Sequence, residues 1–321
     1  MLITGISLLV NFGFIAATLF SGMGHIHEFA EDEYPQLREI WSYGDGAIKV
    51  ARIPLVGVIT REMEQGFLGM SGVDRVESVL RQIRAAQNDE DVKAIILEVD
   101  SPGGEITPTD EIYQALKDFK ESADGRKVII FVKDIAASGA YYVSMAGDWI
   151  IAQPTATIGS IGVIIQTLNW KELSEKIGIQ DVTIKTGANK DLLNPFRAVS
   201  TNQVDILQVL INNNFERFLR IVKEGRRLDL DKLRPLADGR VFPSEDALQH
   251  RLIDDLGYWD GVVDKTTELL GVTSIKIVRY EEHVGWARLF TQARLPQVNL
   301  NIPELRNMRI ERPRLLFMWR P

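Results

Sequence analysis

The sequence predicts an α/β domain whose sheet is mostly parallel. Residues 92–99 and 128–132 are apolar runs rich in β-branched side chains, which is typical of buried strands. Residues 107–119 and 204–226 carry apolar side chains at helical spacing. Strands that alternate with helices along a chain favour a sheet of parallel strands that helices connect.

The predicted elements follow one another from residue 48 to residue 278. Each predicted helix has one apolar face, which Val76, Val79 and Ile83 form in the first helix. Each predicted strand is a short apolar run bounded by polar residues or glycine. The strands are predicted at 48–59, 92–99, 128–132, 148–152, 182–185 and 274–278, and the helices at 74–86, 107–119, 138–146, 170–176, 204–226, 243–249 and 258–270.

Residues 2–24 contain no charged side chain, and they predict a membrane anchor. Their length suits a bilayer span, which needs about 20 apolar residues. A cleaved signal peptide would carry Lys or Arg before its apolar core, and none is present. We therefore expect residues 1–24 to form an uncleaved transmembrane helix, followed by an acidic linker over 25–47.

The C-terminal part of the chain differs from the rest in charge. Residues 284–321 contain seven Arg and two Glu, so they contribute +5 to a total net charge of −7. The predicted organisation is an anchor over 1–24, a linker over 25–47, a folded domain over 48–280 and a basic arm over 281–321. We expect the arm to pack on the acidic body or a neighbouring chain, with contact to anionic lipid headgroups as the alternative.

Composition excludes several kinds of site. The negative net charge gives no reason to expect nucleic acid as a partner. The chain has no cysteine, which excludes disulfides, zinc–thiolate sites and thiol nucleophiles. Its four histidines, at positions 25, 27, 250 and 283, lack the spacing of a metal-binding motif. We therefore expect neither a metal nor a cofactor.

Two short stretches at predicted strand ends carry serine and glycine. They are Asp100–Gly104, with the sequence Asp-Ser-Pro-Gly-Gly, and Ala136–Tyr142, with Ser138 where a helix begins. Each alone is explained by a tight turn or a helix cap. Together they form a place where backbone N–H groups face a ligand, with the Ser138 hydroxyl in a cleft and the Gly139 N–H free to bind an oxyanion.

A serine nucleophile needs a base, and histidine is an unsuitable candidate here. No histidine lies between residues 28 and 249, and His250 follows a polar helix. Lysine can replace histidine only when its amine is neutral, which requires a buried or apolar environment. Three lysines lie near the ends of predicted strands, namely Lys133, Lys185 and Lys190. The sequence pattern alone does not identify which of them would act as the base.

The chain resembles the signal peptide peptidase A, or protease IV, family of serine peptidases. That family belongs to the ClpP/crotonase-like fold of repeated strand–strand–helix units. The resemblance covers residues 50–270 approximately, and Ala140 and Asn189 depart from the family pattern without removing a reactive group. The matching motifs are Asp100–Gly104, Ala137–Tyr142, Asp148–Ala152, Pro154–Val163, Gly187–Asp191, Asn194–Arg197, Asp238–Phe242 and Ala247–Gly257.

The resemblance implies a role for each residue of a Ser–Lys dyad. Ser138 would be the nucleophile, Lys190 the general base and Ser160 a hydrogen-bond partner of the lysine amine. The backbone N–H groups of Gly139 and Gly103 would form the oxyanion hole. The implied activity is a membrane-anchored serine endopeptidase that degrades remnant signal peptides and other unfolded apolar peptides. Its implied preference is for small or apolar side chains at the cleavage site.

The resemblance also implies an assembly and a location. The motifs occur once in this chain, as in short forms of the family, where eight subunits form a ring and share the dyad across subunit boundaries. The implied location is the cell membrane, crossed once, with lipid contacts through the N-terminal helix and the catalytic domain on the extracytoplasmic side.

Two other readings of the same fold are possible. An NfeD-type membrane-bound ClpP-class protease would carry further apolar spans after residue 24. A crotonase-type acyl-CoA enzyme would need acidic catalytic residues at the glycine turn, and it would leave a Ser-Gly pair with a remote lysine unexplained. A fluorophosphonate, which labels activated serines, separates the peptidase from the acyl-CoA enzyme.

Overall fold

The computed structural model describes residues 33–62, 74–282 and 315–319. The predicted anchor over 1–24 lies outside these residues, so it stays a prediction. The chain divides into two compact units that meet between Pro35 and Gln36, and the second unit contains all the elements named below. Within the described residues, no helix has both the length and the apolar composition that a bilayer span requires.

The second unit consists of strands and helices that alternate along most of its length. The strands are β1 (Leu37–Tyr43), β2 (Ile48–Val56), β3 (Val92–Ser101), β4 (Gly103–Glu105), β5 (Lys127–Ala137), β6 (Trp149–Ala152), β7 (Thr157–Gly159), β8 (Ile164–Ile165), β9 (Val241–Pro243), β10 (Asp255–Leu256), β11 (Ile275–Glu282) and β12 (Leu315–Met318). The α-helices are α1 (Arg75–Asn88), α2 (Ile106–Glu121), α3 (Gly139–Ser144), α4 (Lys171–Lys176), α5 (Thr201–Arg226), α6 (Leu230–Leu233), α7 (Ser244–Gln249) and α8 (Trp259–Leu270), and a 3₁₀ helix covers Arg234–Leu236.

The main sheet is parallel through its centre, as the sequence predicts. Its strand order is β1-β11-β2-β3-β5-β6-β10, and only the edge strand β1 runs antiparallel to its neighbour in this series. Beyond its pairing with β6, β5 continues and pairs in parallel with β7, which β9 joins antiparallel. A smaller sheet has the order β4-β12-β8. The mixed α/β architecture confirms the predicted fold class at this level.

Apolar residues cover both faces of the main sheet. In β3, Ile95 and Leu97 contribute to one core cluster and Ile96 to a second, because successive side chains of a strand point to opposite faces. The first cluster includes Phe119 from α2, and the second includes Val262 from α8. Burial on both faces explains why the central strands are nearly continuous apolar runs in the sequence.

Polar side chains define where two of the longer helices begin. The Asp74 carboxylate accepts a hydrogen bond from the Glu77 N–H at 3.1 Å, which caps α1. The Ser200 hydroxyl accepts one from the Gln203 N–H at 3.4 Å, at the start of α5. These caps satisfy N–H groups that have no partner inside the helix.

Three sequence predictions need correction or extension. The predicted strand over 182–185 is wrong, because this segment has no regular structure and the side chains of Val182 and Ile184 are 85% and 98% exposed. Alternating apolar residues make a strand only where a partner strand covers them. Part of the predicted linker forms β1, and part of the predicted basic arm forms β12.

A nearly buried ion pair fixes the C-terminal end of α5 to the sheet edge. Arg226, whose side chain is 8% exposed, donates to both carboxylate oxygens of Asp254 at 2.7 and 2.8 Å. Asp254 lies just before β10, and its carboxylate also accepts a hydrogen bond from the N–H of Ile150 in β6 at 2.8 Å. The pair therefore connects α5 with the edge strand β10 and with its neighbour β6.

We predict that Asp254→Ala lowers the free energy of unfolding by about 3 kcal/mol, because it leaves the buried Arg226 guanidinium without its partner. The matched control is Glu216→Ala, which breaks an ion pair with Arg234 whose two side chains are 54% and 49% exposed. An exposed pair contributes less than about 1 kcal/mol. Urea denaturation measures both changes, and equal losses in the two variants would contradict this account of the Arg226 pair.

Candidate active site

The parallel register of three strands brings the serine and glycine stretches together. Ser101 near the end of β3 pairs with Ala136 of β5, and Ala137 of β5 pairs with Gly159 of β7. Parallel strands end at the same edge of a sheet, so the residues that follow them also lie side by side. Ser138 therefore stands between the glycine turn after β3 and Ser160 after β7.

Ser138 occupies a strained turn between β5 and α3. Its backbone has φ 52° and ψ −114°, a conformation that costs a side-chain-bearing residue about 1–3 kcal/mol. Its N–H donates to the Gly159 carbonyl at 2.7 Å, and its carbonyl accepts the Tyr142 N–H at 2.9 Å. These bonds hold the turn from both sides. The residue is 1% exposed, and its hydroxyl makes no hydrogen bond with the residues described here.

Ser160 has a similar backbone geometry on the neighbouring strand end. Its φ is 50°, it is 6% exposed, and its N–H donates to the Arg240 carbonyl at 2.7 Å. Like Ser138, it leaves its hydroxyl without a hydrogen bond to the described residues. Two buried serine hydroxyls with free hydrogen-bonding capacity thus lie on adjacent strand ends.

The predicted oxyanion-hole residues meet at this edge as well. A Cβ atom added to Gly103 would lie 2.6 Å from the Gly139 nitrogen, so no larger residue fits there. Gly103 has φ +93°, and its N–H donates to the Ser101 hydroxyl at 3.1 Å. Gly104 is also close, since a Cβ on Gly139 would lie 3.2 Å from its nitrogen. Gly103, the preferred glycine of this turn, stays a prediction, and the position of Gly104 makes it a second candidate within the same turn.

The lysine candidates differ in their surroundings. Lys190 stands on an exposed turn, where its backbone N–H donates to the Gly187 carbonyl at 3.2 Å, and no described hydrogen bond joins it to Ser138 or Ser160. Lys185 forms an ion pair with Asp191, and the hydrogen bond from Lys185 lowers the pKa of that carboxyl. Lys133 is exposed on β5. The sheet therefore brings Ser138, Ser160 and the glycines together, and among the described residues no lysine forms a hydrogen bond with either serine.

The arrangement suits attack by a serine hydroxyl on a carbonyl group. Backbone N–H groups next to a fixed nucleophile can stabilise the negative charge that develops on the carbonyl oxygen. Strained strand-to-helix turns present nucleophilic serines in α/β-hydrolases. In the described ranges, no group of three or more His, Asp or Glu side chains is placed to hold a metal ion.

Comparison with known proteins assigns the same region to a peptidase family. The model of Peptidase family S49 matches residues 120–273. A protein of Enterococcus faecium named as signal peptide peptidase SppA is 33% identical over 237 residues, which are 73% of this chain and 67% of that relative. Protease 4 of Haemophilus influenzae is 31% identical over 78% of this chain and 39% of its own length. A chloroplastic serine protease SPPA of Arabidopsis thaliana is 31% identical over 68% of this chain and 32% of its own length.

We predict that Gly104→Ala lowers the free energy of unfolding by about 1–3 kcal/mol. The new methyl group would overlap the carbonyl oxygen of Ile59, which bridges to β4 on one side. The control is Gly261→Ala in α8, where an added Cβ has no neighbour within 4 Å. Alanine should stabilise that helix by about 0.5–1 kcal/mol. Urea denaturation tests the pair, and a neutral Gly104→Ala would contradict the close approach of β4 to Ile59.

Proposed function

The chain belongs to Peptidase family S49 and is a serine-type peptidase, and from this premise we propose that Ser138 and Lys190 form its catalytic dyad. The observation that carries the proposal is the strained, buried turn at Ser138, fixed by the bond from its N–H to the Gly159 carbonyl. A nucleophile that is already held in place loses no further entropy when it is oriented for reaction. This gain can offset the strain energy of the turn.

The proposed reaction is acyl transfer to Ser138. The neutral Lys190 amine takes the proton of the hydroxyl as its oxygen attacks the peptide carbonyl. The N–H of Gly139, with that of Gly103 or Gly104, binds the oxyanion. The protonated lysine then donates its proton to the leaving amine, and water releases the acyl group with Lys190 again acting as base. Ser160 accepts a hydrogen bond from the lysine amine and so orients it.

Three observations favour Lys190 over the other lysines. Lys185 is already engaged in an ion pair with Asp191, so its amine is not available to a serine hydroxyl. Lys190 belongs to the Gly187–Asp191 motif of the resembled family, whereas Lys133 lies outside the matching motifs. The Lys190 side chain also makes no hydrogen bond to a described residue, so it is available to another subunit.

We further propose that identical subunits form a closed ring, with eight members as in the resembled family. The support is a segment that we call the extension, residues 166–213, which presents apolar side chains to solvent in the single chain. Exposed apolar surface of this extent marks an interaction site. Its exposed members are Leu168, Trp170, Leu173, Ile177, Ile179, Val182, Ile184, Val199, Val204, Val209 and Leu210. Since Lys190 lies within this segment, burial of the extension against a neighbour would also bury the lysine.

The proposed substrates are remnant signal peptides and other unfolded apolar peptides. The proposed location is the cell membrane, with one span over residues 1–24, the linker and basic arm flanking the domain, and the catalytic domain on the extracytoplasmic side. The uncharged stretch 2–24 supports the span, and the Enterococcus faecium relative is named for signal peptides. The family assignment favours this function over a crotonase-type acyl-CoA enzyme. An NfeD-type protease stays the alternative among peptidases.

We predict that Ser138→Ala and Lys190→Ala each lower peptide turnover by at least about 10³-fold, because each removes one half of the dyad. Lys190→Arg should be equally inactive, since a guanidinium does not release its proton near neutral pH. Turnover of the unmodified chain should rise with pH, because the base acts in its neutral form. A fluorogenic peptide and a fluorophosphonate label measure turnover and serine reactivity.

Two control variants separate the dyad from general effects on the fold. Ser144→Ala removes another buried hydroxyl, six residues after Ser138 in the chain. This hydroxyl donates a hydrogen bond to the Ala140 carbonyl at 2.8 Å. His250→Ala removes the one histidine of the described residues, whose ring lies 5.6 Å from that of Phe242. Both should keep turnover within about threefold of the unmodified chain. Full activity of Lys190→Ala would transfer the role of base to Lys133 or Lys185.

We predict that inactive variants complement each other if subunits share sites. Ser138→Ala chains mixed with Lys190→Ala chains should regain activity after dissociation and reassembly, because some boundaries then join an intact serine to an intact lysine. Chains that carry both substitutions are the control and should restore nothing when mixed with either single variant. A chain that is monomeric by light scattering yet fully active would contradict the shared site.

A further inference from the structure

Thr109 carries a buried hydroxyl that has no hydrogen-bond partner among the described residues. It lies near the start of α2, the helix that follows the glycine turn and β4. The residue is 0% exposed, and its Oγ1 makes no hydrogen bond within the described chain. Burial of an unpartnered hydroxyl is unfavourable, because the group loses its hydrogen bonds to water. Such a hydroxyl is expected where a ligand or a reacting group completes the bond.

Two other buried hydroxyls on helices of this chain are satisfied within their own helix. Ser144 in α3 donates to the Ala140 carbonyl at 2.8 Å, and Thr266 in α8 donates to the Val262 carbonyl at 2.7 Å. Both residues are 0% exposed, as Thr109 is. A bond to the carbonyl four residues earlier is a usual one for serine or threonine inside a helix. Thr109 makes no bond of this kind, so its hydroxyl is directed elsewhere.

The Thr109 hydroxyl lies beside the turn that carries Ser138. A Cβ atom added to Gly139 would lie 2.7 Å from the Thr109 Oγ1 and 3.2 Å from the Gly104 nitrogen. The hydroxyl therefore shares one small space with a backbone nitrogen of the glycine turn and with the residue that follows the nucleophile. Glycine at position 139 keeps this space open, because an added Cβ would press against the hydroxyl.

A carbonyl oxygen fits into the same space. The Phe317 oxygen lies 3.0 Å from the position that a Cβ on Gly139 would take, so it and the Thr109 Oγ1 both lie close to one point. The space therefore accepts an oxygen atom next to an unpartnered hydroxyl. A hydroxyl group can donate its proton to such an oxygen, and the bond strengthens as negative charge develops on the acceptor.

We propose that Thr109 is a further catalytic residue, whose hydroxyl donates a hydrogen bond to the carbonyl oxygen of the peptide while Ser138 attacks it. The bond from the Ser138 Oγ to the carbonyl carbon forms as the π electrons of the carbonyl group move to its oxygen. Lys190 takes the serine proton, and Thr109 keeps its own proton throughout. Because the oxygen is most negative in the transition state, the bond lowers the barrier more than it stabilises bound substrate. This role rests on the proposed role of Ser138.

The first test compares variants that keep or remove the hydroxyl of Thr109. Valine has nearly the shape of threonine, so Thr109→Val should lower kcat for a fluorogenic peptide by about 10²-fold and change KM by less than about threefold. Thr109→Ser keeps a hydroxyl and should retain kcat within about fivefold. The matched control is Thr266→Val, which removes a hydroxyl of equal burial from α8 and should keep kcat within about threefold.

Thermal unfolding separates this role from a structural one. The proposal predicts that Thr109→Val lowers kcat without lowering the melting temperature, because valine replaces a polar group that has no partner in the folded chain. A hydroxyl held by a structural water would give the opposite pattern, with a lower melting temperature and an unchanged kcat. That pattern would overturn the proposal, and so would an unchanged kcat with an equal or higher melting temperature.

Inhibition by a peptide boronic acid reports on the oxyanion hole itself. The Ser138 oxygen adds to the boron atom, Lys190 takes the serine proton, and the adduct is tetrahedral and negatively charged like the reaction intermediate. Thr109→Val and Thr109→Ala should each weaken inhibition by acetyl-Ala-Ala-boroalanine at least about tenfold. Inhibition by the uncharged peptide amide of the same sequence should change by less than about threefold. The two substitutions give the same readout, so a folding defect in one of them does not decide the result.

The outcomes distinguish this inference from the dyad. An inactive Ser138→Ala chain, together with unchanged kcat and unchanged boronate inhibition in Thr109→Val, would overturn the role of Thr109 and leave the dyad standing. Equal losses in Thr109→Ser and Thr109→Val would assign the effect to packing of the methyl group and overturn the donor role. Full activity of Ser138→Ala would overturn the dyad, and the role of Thr109 with it.

Discussion

The parallel alignment of β5 with β3 on one side and β7 on the other is the constraint on which the site depends. Only where β5 runs beyond its pairing with β6 can it reach β7, and Ala137 then pairs with Gly159. The bond from the Ser138 N–H to the Gly159 carbonyl is the last link of this pairing. It positions a strained serine turn that a freely moving loop would relax. The glycine turn after β3 comes to the same edge through the pairing of Ser101 with Ala136.

Local pattern was sufficient to predict the central strands, most helices and the serine turn. Apolar runs of β-branched residues mark β3 and β5, and the glycine and serine clusters mark their ends. Pairings between distant parts of the chain were beyond such reasoning. The two-residue strand β8 and the three-residue strand β4 carry no periodic signal, and β12 is recognisable as their partner only once they are placed side by side. The segment 182–185 shows the converse, since its strand pattern has no partner in the described chain.

The single chain holds most of the proposed site residues in fixed positions, but it leaves Lys190 on an exposed turn. Ser138, Ser160 and the glycines are held by the sheet, where burial and backbone bonds leave little freedom. Lys190 belongs to the extension, whose apolar side chains face solvent. The sequence motif pointed to Lys190 through family resemblance, whereas burial and contacts in one chain do not provide the apolar surroundings that a neutral lysine requires. Assembly would cover the extension and so remove its apolar surface from water. The same contact would enclose Lys190 in apolar surroundings.

Such a coupling has a consequence for control of the enzyme. In the proposed assembly, a chain with a complete serine turn would stay inactive until a neighbouring subunit supplied the base.

The most direct test of the shared site is the separation of two atoms in an experimental structure of the assembled protein. The account predicts that the Lys190 Nζ of one subunit lies within about 3.2 Å of the Ser138 Oγ of its neighbour, or is joined to it by one water. A ring in which every Lys190 faces solvent, while another basic group contacts the Ser138 hydroxyl, would contradict it.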